Sequence, residues 1–156
     1  MANAASNKIK KNKEYLRDGR APIPKNENTS RVMSANKAKG TKPEIILKKV
    51  LREAGIKGYR LNWKKAPGRP DIAFPGKKMA IFVNGCFWHR CPYCNYKLPK
   101  TNTSFWSEKF SKNISRDKKK AADLEKLDWQ VFIIWECEIK KDLETIVEKF
   151  KNILRK

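Results

Sequence analysis

The spacing Cys86-x4-Cys91-x2-Cys94, completed by Cys137 and leaving no cysteine over, constrains this chain more than any other feature. The N-terminus lacks the apolar core of a secretory signal. Lysine outnumbers arginine there, which also speaks against a mitochondrial-type presequence. The expected compartment is therefore the cytoplasm, where clustered thiols read as metal ligands rather than as a disulfide framework. Zinc suits four soft ligands in a tetrahedron, and a closed site of four thiolates is structural, not catalytic. Such a site would staple a long loop, residues 84–103, to the end of a later strand. Two alternatives stay open. Cys86 and Cys137 can be ordinary buried residues with only Cys91 and Cys94 reactive, or His89 or Asp117 can replace one thiolate.

The elements around this loop can be read from local signals. Thr41-Lys42-Pro43-Glu44 starts a helix, with Thr41 as cap, Pro43 in the first turn and Glu44 closing a capping box. Ile45, Ile46, Val50 and Leu51 are expected on its apolar face, and Gly55 ends it. A strand follows near Tyr59–Asn62, then a Pro/Gly-rich turn from Lys64 to Pro70, a short strand Asp71–Phe74 and a turn at Pro75-Gly76. Met79–Val83 reads as a buried strand. Phe105, Trp106, Phe110, Ile114, Leu124 and Leu127 mark an amphipathic helix over about 104–128. Gln130–Trp135 is a further buried strand, and a last helix is expected over about 140–154. The order α-β-β-β-α-β-α predicts an α/β fold, a mixed sheet flanked by helices.

Charge narrows the partner. Lys and Arg number 37 against 16 Asp and Glu, a net charge of +21, which points to a polyanion, with nucleic acid first. A merely soluble or ribosome-associated basic protein is the bland alternative. A hydrophobic share of 40%, with five Trp and seven Phe, supports one core and excludes wholesale disorder. No apolar run approaches the roughly 18–20 residues of a membrane helix. Residues 1–40 hold ten Lys and Arg, three Asp and Glu, and no sustained apolar period. Residues 1–28 are read as a basic arm, disordered alone, ahead of a domain over 29–156.

Four residues carry candidate catalytic chemistry. Asp71 opens a strand one turn before a buried strand, a placement suited to holding Mg²⁺ on a phosphate. His89 is the only histidine; an imidazole, with an ordinary pKa of about 6.5, can take a proton from water at neutral pH. Asp117, on the long helix, can hold that imidazole in one tautomer, or pair with nearby lysines. Glu44 has a complete explanation as the capping-box acid. Phe87 and Trp88 are adjacent aromatics that can wedge into a base stack, or complete the core around the cysteine loop.

These segments converge on one family. Pro67-Gly68-Arg69-Pro70-Asp71, Phe82-Val83-Asn84-Gly85-Cys86-Phe87-Trp88-His89, Asn113-Ile114-Ser115-Arg116-Asp117 and Trp135-Glu136-Cys137 resemble the very short patch repair (Vsr) mismatch endonucleases, over roughly Thr29 to Ile139. The resemblance implies a restriction-endonuclease-like fold that nicks one strand beside a T·G mismatch in double-stranded DNA, using Mg²⁺ and carrying a structural zinc. It implies that Asp71 and the Val83 carbonyl hold Mg²⁺, that His89 is the general base oriented by Asp117, and that Glu44 is a supporting acid. Cys86, Cys91, Cys94 and Cys137 fall on or near the zinc ligands. Phe87 and Trp88 match the intercalating aromatics, Met33 falls where an aliphatic residue enters from the other side, and Arg69 and Asn84 join the DNA contacts. The chain departs from the pattern in three places. Cys91 stands where a histidine ligand is frequent, Cys94 is shifted by one residue, and Asn84 replaces a second active-site histidine. Monomeric action near cytosine methyltransferases and mismatch-repair proteins is the family expectation. Two competing readings remain: a related nuclease with a homing, restriction-linked or branched-DNA target, and a non-catalytic, zinc-stapled DNA-binding module.

Overall fold

The computed structural model describes residues 22–37 and 39–155; residues 1–21, most of the expected arm, lie outside the described residues. The described chain divides into two units between Asn36 and Lys37. The first holds α1 (Glu27–Ser34), an element the sequence reading omits. Asn26 Oδ1 caps it by accepting the Thr29 N–H at 2.8 Å. The helix buries none of its residues. An apolar period is the trace of a buried face, so this helix leaves none in the sequence.

The second unit is built on α2 (Lys42–Glu53), β1 (Arg60–Leu61), β2 (Ile72–Phe74), β3 (Met79–Asn84), α3 (Thr103–Glu125), β4 (Gln130–Trp135), α4 (Glu136–Lys141) and α5 (Leu143–Arg155). Sheet order is β1-β2-β3-β4. The first three strands form an antiparallel meander, with Ile72 opposite Ile81. β4 lies parallel to β3, Val83 opposite Ile134, so a crossover is required and α3 supplies it. The mixed α/β sheet flanked by helices is as the sequence predicts.

β3 shows why both sheet faces are covered. Its side chains alternate. Met79, Ile81 and Val83 join the main core with Leu47, Leu51, Ile134, Val147 and Phe150, under α2, α4 and α5. Ala80 and Phe82 face the other way, toward Leu124 of α3, Trp63 and Trp129. Three expectations are corrected here. The buried face of α2 is Glu44, Leu47 and Leu51, at i, i+3 and i+7, while Ile45 and Ile46 remain 56% and 40% exposed. Leu127 lies past the end of α3 and is exposed. The single last helix expected over about 140–154 is two, α4 and α5, and Cys137, just after the strand as expected, sits in the first turn of α4. No helix among the described residues is long and apolar enough to cross a membrane.

Candidate active site and thiol cluster

The four cysteines meet. Cys86, Cys91 and Cys94 come from the loop after β3, and Cys137 comes from α4; their sulfurs all lie within 4.8 Å of one another. All four are free thiols. Cys91 and Cys137 Sγ are 3.7 Å apart. Tetrahedral coordination with Zn–S near 2.3 Å places sulfurs about 3.8 Å apart, so the cluster fits a closed site of this kind. Two backbone donors hold its frame: the Cys137 N–H donates to Cys86 Sγ at 3.3 Å, and the Cys86 N–H to Glu136 Oε2 at 3.4 Å. Burial pushes the Cys86 and Cys137 thiols up. At Cys91 burial also raises, but the N–H groups of Tyr93 and Cys94 and the Cys137 thiol outweigh it, and the thiol is lowered. A cation is what would hold all four as thiolates. The group can hold a metal ion such as zinc.

Asp71 stands at the mouth of the β2–β3 pair, just before Ile72. Its Oδ2 accepts the Val83 N–H at 2.8 Å, which fixes the carboxylate against the end of β3. Burial holds the Asp71 carboxyl above the usual carboxylate range. The Val83 hydrogen bond opposes this, the charge of Glu44 adds to it, and Lys48 and Lys120 pull downward. Glu44 is itself buried and does what its capping position predicts. It accepts from the Gly40 N–H at 3.0 Å, the Thr41 hydroxyl at 2.9 Å and Lys48 Nζ at 3.4 Å. A half-buried carboxylate pushed up by burial and by the charge of a buried neighbour is a chemistry that a hard divalent cation relieves.

His89 and Asp117 form the second half of the site. His89 Nδ1 hydrogen-bonds Asp117 Oδ2 across the gap between the cysteine loop and α3. A carboxylate only accepts, so Nδ1–H donates and Nε2 keeps its lone pair for a proton. The lysine alternative also holds: Lys120 Nζ lies 3.9 Å from Asp117 Oδ1. His89 and Asp117 stay outside the four-sulfur cluster, so the thiolates need no replacement.

Aromatic rings hold the loop that carries His89. Phe87 contacts Trp88, Tyr96, Trp106 and Phe110 edge to face, with centroids 5.2–6.0 Å apart. Trp88 also packs on Trp106 at 5.8 Å. Asn113 of α3 donates to the Trp88 carbonyl at 2.9 Å. The Arg90 guanidinium covers the Phe110 ring at 4.7 Å. Both Phe87 and Trp88 are half-buried, so the pair completes a local core as well as bordering the site. Arg69 is exposed in the turn before Asp71, and Asn84 is buried at the end of β3, lining a crevice with Phe82, Asp117 and Lys120. Met33 lies on α1 in the first unit. Sequence reasoning missed Lys48, Lys120 and Asn113. Each carried a usable signal, one helical step from a residue already singled out: Lys48 is i+4 to Glu44, Asn113 is i−4 to Asp117 and Lys120 is i+3 to Asp117.

Residues 23–95 match the model of the DNA mismatch endonuclease Vsr family. The DNA mismatch endonuclease Vsr of Escherichia coli is 37% identical over 111 residues, covering 71% of this chain and 70% of that protein. The chain belongs to the Vsr family. It is accordingly a DNA endonuclease, a hydrolase of phosphodiester bonds. Other Vsr-like relatives carry a different label. The type II nicking enzyme V.XorIIP of Xanthomonas oryzae pv. oryzae is 37% identical over 123 residues, 79% of this chain and 89% of that protein. The type II nicking enzyme V.NmeAIP of Neisseria meningitidis is 42% identical over 109 residues, 70% and 77% respectively.

Proposed function

We propose that this Vsr-family chain acts as a monomer to nick one strand of duplex DNA beside a T·G mismatch, with Mg²⁺ at Asp71 and zinc at the four thiolates. The frame is read as restriction-endonuclease-like. The observation that carries the reading is the closeness of two halves: the Val83 N–H fixes Asp71 at the end of β3, and the next residue, Asn84, lines one crevice with Asp117, the partner of His89. Asp71 and the Val83 carbonyl are the residues that would hold Mg²⁺, with Glu44 supporting the acid cluster. Bound there, the metal supplies charge neutralisation at the phosphate and lowers the pKa of water. His89 Nε2 takes the proton of the attacking water while Asp117 steadies the ring through Nδ1. The new P–O bond forms as the bond to the 3′ oxygen breaks.

Mismatch choice is assigned to Trp88, with Arg69, Asn84 and Met33 as further DNA contacts. A T·G pair unstacks more easily than a matched pair, so a wedge costs less there. Phe87 is tied to four rings, so it serves as the base of the wedge and Trp88 as its tip.

The test is a Mg²⁺-dependent nicking assay on one T·G duplex and one fully paired duplex, with Asp71→Ala and Trp88→Ala alongside. Nicking of the mismatched duplex alone, lost in Asp71→Ala, supports the reading. Equal cutting of both duplexes removes the mismatch. Parental rates in Asp71→Ala move the catalytic site elsewhere. Full mismatch preference in Trp88→Ala removes the wedge. The names of the nicking-enzyme relatives favour a second reading, a related target set by flanking sequence, and a panel of mismatch contexts separates the two.

A further inference from the structure

The active site gathers three carboxylates, Asp71, Glu44 and Asp117, yet it must admit a phosphodiester, itself an anion. Cations of the chain have to face that phosphate. Among the lysines near the site, Lys48 is 18% exposed and engaged by Glu44 at 3.4 Å. Lys119 is 75% exposed and turned to Asp123 at 3.5 Å. Lys120 differs from both. Its ammonium lies 3.9 Å from Asp117 Oδ1, beyond hydrogen-bond length, so its three donors are not consumed there. It acts on Asp71 as well. It is 32% exposed, so a ligand can reach it.

The stem of Lys120 is held on two sides. Its Nζ lies 5.7 Å from the centroid of the Phe82 ring. Its methylenes press on Gly68 so closely that a Cβ there would stand 2.6 Å from Lys120 Cγ and 2.8 Å from its Cβ. Gly68 belongs to the turn that delivers Asp71. The lysine is therefore clamped between the segment carrying Asp71 and the strand carrying Val83, with Asp117 at its head.

We propose that Lys120 is the phosphate-binding cation of this active site, donating to a non-bridging oxygen of the scissile phosphodiester. This rests on the reading of a phosphodiester-cutting site at Asp71 and His89, and not on the mismatch. No bond to Lys120 forms or breaks; it binds the phosphate and offsets the charge that grows on it.

The test compares Lys120→Met, which keeps the stem, with Lys120→Arg, which keeps the charge, and with Lys149→Met on α5 as a control for net charge. Lys120→Gln replaces the Met variant should that one fold poorly. DNA affinity is read against salt in chelator, with no metal and no cleavage. Loss of one phosphate contact lowers the slope of log K against log salt by about 0.9. Single-turnover nicking at saturating enzyme is read separately, with Asp71→Ala as the dead reference. The expected result is a slope reduced by about one in Lys120→Met, a rate down by about 10²-fold, and a slope restored in Lys120→Arg. A parental slope overturns the proposal, and a slow enzyme with that slope makes Lys120 a positioning residue behind Asp117. A reduced slope with a parental rate also overturns it, since the contact then lies on another phosphate. The slope needs no cleavage, so a parental slope overturns the proposal even if the mismatch assay fails.

Discussion

Gly68→Ala probes the clamp on Lys120 directly, and Gly55→Ala is its natural control. The two glycines share nearly the same φ, +71° and +72°. Either substitution forces an alanine into the left-handed region, at a cost of about 1–2 kcal/mol. Both also stiffen the unfolded chain, a gain of about 0.4–1 kcal/mol that cancels in the comparison. The contacts differ. Nothing lies within 4 Å of a Cβ at Gly55, whereas at Gly68 it meets Lys120 Cγ at 2.6 Å, Cβ at 2.8 Å and Cδ at 3.0 Å. Those atoms are the root of the side chain, not its flexible tip, so the turn or α3 has to move. Overpacking of this kind costs about 1–3 kcal/mol. Gly68→Ala should therefore be less stable than Gly55→Ala by about 1–3 kcal/mol, read from urea midpoints at constant m-value. Nicking should fall in the Gly68 variant alone, because the turn that shifts carries Asp71. Equal midpoints for the two variants would refute the packing argument.

Three further outcomes follow from the site. The purified protein should carry one zinc per chain, and Cys137→Ser should lose it and open residues 85–102 to protease; structural zinc sites bind with about 10–16 kcal/mol in small peptides at pH 7, and metal-free protein with an intact loop would reject the assignment. His89→Ala should slow nicking by about 10²–10⁴-fold with zinc content unchanged, whereas zinc loss would place His89 among the ligands. Asp71→Asn should stabilise the metal-free protein. The folded Asp71 carboxyl is raised, so its ionisation opposes folding above the unfolded pKa, and the cost is complete once pH exceeds the folded value. The gain in Tm should thus be absent in acid and grow as pH rises through and above the carboxylate range. A gain that shrinks with rising pH contradicts the sign.

What the sequence determined by itself is everything encoded locally or in residue type. The capping box at Thr41–Glu44, the strands at Ile72–Phe74 and Met79–Asn84 and the four-cysteine set are legible because each rests on short-range chemistry or on a ligand preference, whereas the pairing of His89 with Asp117, 28 residues apart, followed only from the family resemblance. Tertiary structure decided what depends on which face meets which neighbour. Ile45 and Ile46 are as apolar as Leu47, and only the sheet's position tells them apart. α1 buries nothing and α4 spans six residues, so neither leaves a period to detect. Lys120 is the one of three consecutive lysines at i+3 to Asp117, which the sequence shows, but only the packing of α3 over the Gly68 turn and the Phe82 ring turns it into the site. A lysine's charge is written in the sequence, but the carboxylates it faces are set by chain segments far apart, and those meet only when the sheet and α3 have packed.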